Sequence, residues 1–434
     1  MLGLRCLTVY SVDSQAVLMA EFPFAEVTAN EMFFTERDER YRRLHDWPQR
    51  SYAHRSGLRM IWKYDDVREV LAAAKPEISR ANSLEPLVGY PRIAATPRAL
   101  PHLFRHLIPL PAKATADLAD EPLHDRVWNT MAGPAGHFTI RAADRPQHLA
   151  ALTGHFEAAL AATAPSGPTL DVTALSIAYA TRVTGSAVGL PPEIWPRVAV
   201  WSGAQSGLLG RTMRGRELAG AVAALGQLFT VSGRALDHGL RNGTAGFATR
   251  LRDAGIPRRV AVSAVANSLA AGVHTVSGSI QQGLQRLLHD PDREWWGLLA
   301  EPRTAGDVAA KVLQLDPGLV AWKRRIERPV VLGGGTELPA GPVLVMFAAA
   351  NRDPAAFPDG HSLRRGGKLP LTFGFGAHIC PGKQLATLAV EVFLHQLYLR
   401  APHARPVDGE SRPRREADLL FSGADLHIAL DGRL

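Results

Sequence analysis

The stretch that decides the fold is Phe373-Gly374-Phe375-Gly376-Ala377-His378-Ile379-Cys380-Pro381-Gly382. It is a glycine-punctuated loop that ends in a cysteine and runs directly into a segment with helical patterning, residues 383–399. Glycine lets the backbone adopt unusual angles and approach a flat ligand closely. A cysteine just before a helix N-terminus lies at the positive end of the helix dipole, which favours the thiolate. A thiolate is a strong ligand for metal ions, haem iron included, so the loop indicates a candidate metal-ligating cysteine.

This loop resembles the haem-binding signature of the cytochrome P450 family, Phe-x-x-Gly-x-His-x-Cys-x-Gly-x-x-Leu-Ala. The positions in register are Phe373, Gly376, His378, Cys380, Gly382, Leu385 and Ala386. So many matches at fixed spacing outweigh the alternative of a buried cysteine in a glycine-rich turn. The resemblance extends over roughly residues 57 to 400, and it includes Tyr64-Asp65-Asp66-Val67-Arg68 and Ala350-Asn351-Arg352-Asp353-Pro354.

The resemblance implies a mainly α fold with a minor β-sheet region, in which haem b (iron-protoporphyrin IX) lies between a long central helix and the cysteine-bearing loop. Cys380 would be the iron ligand. His148, Arg324 and His378 would pair with the haem propionates, since charged or polar donors suit a carboxylate. Ordinary surface or core placement of these three residues is the alternative.

Two departures concern oxygen activation. The family's Ala/Gly-Gly-x-Asp/Glu-Thr reads here Ala271-Gly272-Val273-His274-Thr275. Thr275 keeps the hydroxyl that the family uses to relay a proton, although a helix-packing role is the alternative. His274 replaces the acid; it titrates near neutrality and so either delivers protons or fills a polar gap.

Three further departures concern the proximal side. The family's Glu-x-x-Arg ion pair reads Lys311-Val312-Leu313-Gln314, so Lys311 must find another partner or reach solvent, because a buried unpaired charge is costly. Leu152 stands four residues after His148, where the family expects a second propionate partner, Arg. Pro381 has no N–H to aim at the cysteine sulfur, so we expect a more electron-rich thiolate.

Composition sets wider bounds. The 434 residues are 46% hydrophobic and 21% charged, which is typical of a globular protein. The net charge of +8 comes mostly from arginine and reflects either composition bias or a basic face for an acidic partner. Basic runs with interleaved aromatics are absent, so nucleic acid is not expected as a partner. The two cysteines suggest no disulfide framework, and the sequence predicts a cytoplasmic protein without membrane embedding.

Local patterns predict the elements. Residues 59–64 read as a strand, 65–74 as a helix, and 91–134 as a long irregular stretch. Helical patterning dominates from residue 146, with its longest run at 257–289, and a shorter helix is expected at 305–315. Residues 329–332 and 343–347 read as strands. We expect a flexible extension at residues 1–18 and a single domain at 19–434.

Three functions follow as hypotheses. The first is a haem-thiolate oxidoreductase of specialised metabolism, which takes electrons from a ferredoxin-type donor and O2, and oxidises a bulky, partly apolar molecule. Hydroxylation, epoxidation, ring closure or coupling are the outcomes considered, and a carrier-tethered substrate is possible. The second is a haem-thiolate enzyme that uses peroxide or performs rearrangement or dehydration. The third is a non-catalytic auxiliary protein of a biosynthetic enzyme. The segments expected to contact substrate are residues 82–100, 201–209 and 269–275.

Overall fold

The structure, a computed structural model, describes residues 22–24, 37–81, 83, 85–104, 121–163, 167–242, 246–360, 362–363, 367–407, 412–413 and 418–430. The expected extension at residues 1–18 lies outside the described residues. So do residues 105–120 of the stretch expected to be irregular, and Asn82 of the expected substrate segments.

Helices dominate the described chain, as expected for a mainly α fold. In chain order they are α1 (Arg37–His45), α2 (Tyr64–Ala72), α3 (Tyr90–Ala94), α4 (Leu100–His102), α5 (Glu121–Ala132), α6 (Arg145–Ala162), α7 (Val172–Ala187), α8 (Trp195–Gly210), α9 (Gly215–Asn242), α10 (Phe247–Asp253), α11 (Arg258–His289), α12 (Glu294–Gly297), α13 (Pro302–Leu315), α14 (Phe347–Ala350) and α15 (Lys383–Arg400).

The strands form small sheets. They are β1 (Ser51–Ala53), β2 (Arg59–Ile61), β3 (Thr169–Asp171), β4 (Trp322–Ile326), β5 (Val330–Val331), β6 (Glu337–Leu338), β7 (Gly341–Val345), β8 (Arg405–Pro406), β9 (Arg412–Pro413), β10 (Ala424–Asp425) and β11 (His427–Ala429). The largest sheet has the order β1-β2-β7-β4, in which β2 and β7 are parallel and the other pairs antiparallel. A second sheet has the order β3-β11-β8, and the pairs β10-β9 and β5-β6 complete the set.

Helix α11 is the central element. Pro257 precedes its first residue and Asp290-Pro291 follows its last, so both ends carry the punctuation that predicted it. It packs against α7, α8, α9 and α15. Among the described helices it alone is long and apolar enough to cross a membrane, but 67% of that apolar window is buried in the protein, so packing accounts for its composition.

Most predicted elements are confirmed with boundaries shifted by a few residues: β2, α2, the long α11, α13, the strands β5 and β7, and α15. The prediction of an irregular stretch at 91–134 is wrong in part, because α3, α4 and α5 lie within it. In α5, His124, Val127 and Met131 are buried along one face at i, i+3 and i+7, a helical pattern too short to stand out beside the neighbouring prolines.

The helix that follows the cysteine loop is anchored in the core. Leu388, Val392 and Phe393 of α15 are buried in the same hydrophobic cluster as Val276 and Ile280 of α11. Helix α15 also packs against α6 and α13. The loop that begins this helix is therefore attached to the most buried part of the molecule.

Candidate functional site

The cysteine loop is shaped by its glycines. Gly374 and Gly376 have φ of +75° and +77°, a region that side chains disfavour. A Cβ on Gly376 would also lie 3.1 Å from both the Cα of Ala72 and the carbonyl oxygen of Leu71, at the end of α2. The N–H of Cys380 donates to the carbonyl of Phe373 at 2.8 Å and closes the loop. The backbone conformation at Gly374 and Gly376 therefore favours glycine, and at Gly376 the contact with α2 also excludes a side chain.

Cys380 lies deep in the protein yet keeps accessible surface, as a side chain that lines an internal space does. Burial raises the pKa of its thiol, and the N–H of Gly382 and the charge of Lys383 only partly oppose this. Burial therefore opposes the effect of the helix N-terminus on the pKa of this thiol. A bound metal cation would reverse this, because coordination deprotonates a thiol.

One face of α11 is accessible in the middle of an otherwise buried helix. Ala271 is exposed and Ser268, Gly272 and Thr275 are partly exposed, whereas Val273 and Val276 are buried. These accessible residues recur at intervals of three or four, so they form one stripe. Leu385 of α15, five residues after Cys380, packs against the apolar cluster that includes Leu269 and Val273. The stripe and the cysteine loop thus belong to neighbouring parts of the core.

A group of hydrogen-bond donors, His124, His378 and Arg324, gathers beside the loop. The rings of His378 and His124 lie 4.5 Å apart between centroids, tilted by 59°. Arg324 is 1% exposed and donates to the carbonyls of Ser79 at 2.8 Å and Arg80 at 3.4 Å. Burial lowers the pKa of Arg324 to about 10. Burial, reinforced by His124, Arg324 and the Arg80 guanidinium, lowers the pKa of His378 to about 4, although its ring bonds the Arg80 carbonyl. The arrangement suits an anionic ligand.

Known proteins match parts of the chain in sequence. No family model matches the chain. The chain is 30% identical over 223 residues to Cytochrome P450 144 of Mycobacterium tuberculosis, over 50% of this chain and 51% of that relative. It is 29% identical over 167 residues to the 20-oxo-5-O-mycaminosyltylactone 23-monooxygenase of Streptomyces fradiae, over 37% of this chain and 39% of that one. The chain thus spans about half, or less, of the curated relatives that it matches.

Solved structures match almost the whole chain. The P450 heme domain of Tepidiphilus thermophilus superposes with a TM-score of 0.78 at 18% identity, and covers 96% of this chain and 98% of that one. P450BioI was solved in complex with a hexadec-9Z-enoic acid ligated acyl carrier protein. It superposes with a TM-score of 0.74 at 15% identity, and the match covers 93% of this chain and 100% of that one. Over the aligned regions the chain is similar in sequence to cytochrome P450 proteins. Its fold is the cytochrome P450 fold, as the sequence resemblance implied.

This similarity implies a haem cofactor, and the residues present fit one. The thiol of Cys380 is deep and accessible, and α11 presents a stripe of small residues where a flat ligand can approach. The donor set of His124, His378 and Arg324 has the chemistry that carboxylates need. Phe373 packs beside the loop against the core cluster, and Gly382 places its backbone next to the Cys380 sulfur.

The histidine ring that lies against His378 is that of His124. Among the described residues, the groups that act on His378 are His124, Arg324 and Arg80, and His148 is not one of them. His148 lies on α6, and Leu152 on the same helix is buried in the hydrophobic core.

Four residues after His124 stands Trp128, which sequence analysis did not single out. Its indole Nε1–H donates to the carbonyl of Ile379 at 3.1 Å, one residue before Cys380. Trp128 therefore ties α5 to the cysteine loop. The signal that could have found both residues is the His-x-x-x-Trp spacing in a segment with buried residues at i, i+3 and i+7.

His274 and Thr275 point to different surroundings. His274 is 6% exposed, and a Cβ added to Gly203 of α8 would lie 3.3 Å from its Cε1. Its ring therefore packs in the α8–α11 interface. Thr275 lies on the accessible stripe, and its hydroxyl donates to the carbonyl of Ala271 at 2.7 Å. Of the two, only Thr275 is on the face of α11 that a ligand can reach.

Proposed function

We propose that the protein is a haem-thiolate oxidase of specialised metabolism, with haem b held by Cys380. The observation that carries this is the partly accessible Cys380 in a loop beside the donor group of His124, His378 and Arg324. The proposal names His124 in place of His148 as a propionate partner. Phe373, Gly376 and Gly382 shape the loop around the ligand.

The haem, when bound, supplies the oxygen chemistry, and the chain supplies position and protons. Thr275 is proposed to hold and pass a proton at its hydroxyl, which is already placed by the Ala271 carbonyl on the accessible face of α11. For His274, the packing against Gly203 favours the gap-filling alternative over proton delivery. His124, His378 and Arg324 would orient the porphyrin by donating to its propionate carboxylates.

The substrate is proposed to be a bulky, partly apolar small molecule that contacts described residues of 85–100, 201–209 and 269–275. Hydroxylation, epoxidation, ring closure and coupling all fit this chemistry. The name of the Streptomyces relative supports a substrate of specialised metabolism, and the neighbour solved with an acyl carrier protein supports a carrier-tethered form of it. A ferredoxin-type electron donor and a cytoplasmic location complete the proposal.

The test is the spectrum of the purified protein after reduction and addition of carbon monoxide. We expect a thiolate-type Soret band in the wild type and in C6S, and loss of that band in C380A. Cys6, the second of the two cysteines, is the matched control. If the wild type shows no such band after haem supplementation, or if C380A retains it, the proposal fails.

A second candidate is a peroxide-driven enzyme, or one that rearranges or dehydrates its substrate. The replacement of the family acid by His274, whose ring packs in a helix interface, favours it. Turnover with hydrogen peroxide but not with reduced ferredoxin would select this reading. An auxiliary role without catalysis would instead leave the stimulation of a partner enzyme intact in C380A.

A further inference from the structure

The most unusual feature of the proximal side is the pair Lys311 and Gln314 on α13. Lys311 is 7% exposed and Gln314 is 6% exposed. The Lys311 ammonium donates to the Gln314 side-chain oxygen at 2.9 Å and to the carbonyl of Gly360 at 3.4 Å. The lysine has therefore found partners inside the protein, and both are neutral acceptors.

The bond to Lys311 fixes the orientation of the Gln314 amide. An ammonium can only donate, so the amide oxygen must face Lys311 and the amide NH2 must face away. That NH2 donates to the backbone carbonyl of Asn351 at 3.0 Å. The side-chain NH2 of Asn351 in turn donates to the backbone carbonyl of Gln314 at 3.0 Å. Lys311 thus determines that a donor, and not an acceptor, faces Asn351.

Asn351 passes this constraint to the cysteine loop. It is fully buried, and its side-chain oxygen accepts the N–H of Leu371 at 2.6 Å. Its NH2 also donates to the Thr372 hydroxyl at 2.8 Å, which in turn donates to the carbonyl of Leu313 on α13. The next residue, Phe373, accepts the N–H of Cys380 at 2.8 Å. Hydrogen bonds and the peptide bond between Thr372 and Phe373 therefore connect α13 to the backbone of Cys380.

We propose that Lys311 and Gln314 are positioning residues that hold the Cys380 loop through Asn351, with the lysine setting the direction of the glutamine amide. This rests on the proposed function, because the loop matters only if Cys380 binds haem. The pair needs no opposite charge, since the ammonium is satisfied by two carbonyl-type oxygens. The order of donors and acceptors from Lys311 through Gln314 to Asn351, and not an ion pair, fixes the position of the loop.

This order of donors and acceptors makes an unusual prediction for substitutions. In K311E the new carboxylate can only accept, so the Gln314 amide must turn its NH2 toward it and present its oxygen to the Asn351 carbonyl. Two acceptors would then face each other in a buried site, which is costly. In K311M the glutamine keeps its bond to Asn351. In K311E/Q314R an arginine can donate to both the glutamate and the Asn351 carbonyl.

The experiment compares these three variants with the wild type and with R303E, which reverses an exposed charge on the same helix. Hydrogen exchange of the amides of residues 371–380 is measured in the haem-free protein, and the rate of haem loss in the loaded protein. We expect exchange and haem loss to rise about tenfold in K311E, less in K311M, and to return toward wild type in K311E/Q314R. R303E should match the wild type.

The inference is overturned if K311E behaves like wild type, or if the double variant is no better than K311E. If the wild type binds no haem, the proposed function fails while the exchange measurement still decides the present inference. If haem binds normally but exchange in the loop does not follow the order of the variants, only the positioning role is lost.

Discussion

His124 and His148 give the sharpest contrast at the scale of single residues. Both are histidines on helices, His124 on α5 and His148 on α6. Only His124 lies against His378. We therefore expect H124A to lose haem about tenfold faster than wild type, since one donor to a carboxylate is removed. H148A should be indistinguishable from wild type in the same haem-transfer assay, and a larger effect in H148A would restore His148 as the propionate partner.

Lys323 provides a pH-dependent prediction. It is buried on β4, and its ammonium donates to the carbonyl of Glu85. Burial lowers its pKa to about 8, although the carboxylates of Glu85 and Asp418 act in the opposite direction. An unfolded lysine has a pKa of ~10.4. Between about pH 8 and that value the unfolded chain therefore holds more protons than the native protein. The free energy of unfolding should therefore contain a component that rises with pH from about 8 to ~10.4.

Replacing Lys323 by methionine should remove that rising component and should stabilise the protein below pH 8, where the native amine carries its full desolvation cost. The measurement is the melting temperature from pH 6 to ~10.5 for wild type, K323M and K368M, the last an exposed lysine paired with Asp65. K368M should retain the wild-type slope. Parallel curves for wild type and K323M would show that the amine does not titrate in this range.

At the scale of elements, the contact of α8 with α11 separates the two candidate proton carriers. Ser202 of α8 donates to the carbonyl of Ala270 at 3.1 Å, and Gly203 leaves the room that the His274 ring occupies. A side chain at residue 203 would press on this ring and on the whole helix pair. The interface is thus built around His274, while Thr275 faces the accessible stripe.

We expect H274A and G203A to lower the melting temperature without changing the fraction of electrons that appear in product. T275V should do the opposite: product per electron should fall about tenfold, within the range for a lost proton-transfer group, with little change in melting temperature. T275S keeps the hydroxyl and is the control. A change in the pH profile of turnover in H274N would return His274 to a role in proton delivery.

Elements with strong local signals could be predicted from the sequence, and those defined by distant contacts could not. Helix α11 was predictable because its apolar residues recur with a helical period and prolines flank its ends. The cysteine loop was predictable because its glycines mark a turn in the sequence itself. Helix α5 was missed because its short pattern lies in a proline-rich stretch, and with it His124 and Trp128. The i, i+3 spacing of Lys311 and Gln314 allows their contact, but Asn351, 37 residues away, enters through the tertiary fold alone.

At the scale of the whole molecule, one buried carboxylate joins four distant segments. Asp316, just after α13, pairs with Arg37 of α1 at 2.7 Å, with Arg352 beyond α14 at 3.0 Å, and with Arg286 near the end of α11. Asp38 adds a second carboxylate to the same group, 2.9 Å from Arg286. Burial tends to raise the pKa of Asp316, but the three guanidiniums outweigh it and hold the pKa below its ordinary value.

The replacement D316N should therefore destabilise the protein as a whole by about 3–5 kcal/mol, because it leaves three guanidiniums buried around a neutral amide. A group whose native pKa is depressed contributes stability above its unfolded pKa of ~3.9, and that contribution is lost as pH falls through the native value. The difference in melting temperature between wild type and D316N should accordingly be constant near neutrality and shrink only below pH ~4. D292N, at an exposed aspartate beyond α11, should melt like wild type throughout. A difference between wild type and D316N that persisted unchanged at the lowest pH would mean that the amide perturbs packing, and that the charge of Asp316 is not what joins α1, α11, α13 and α14.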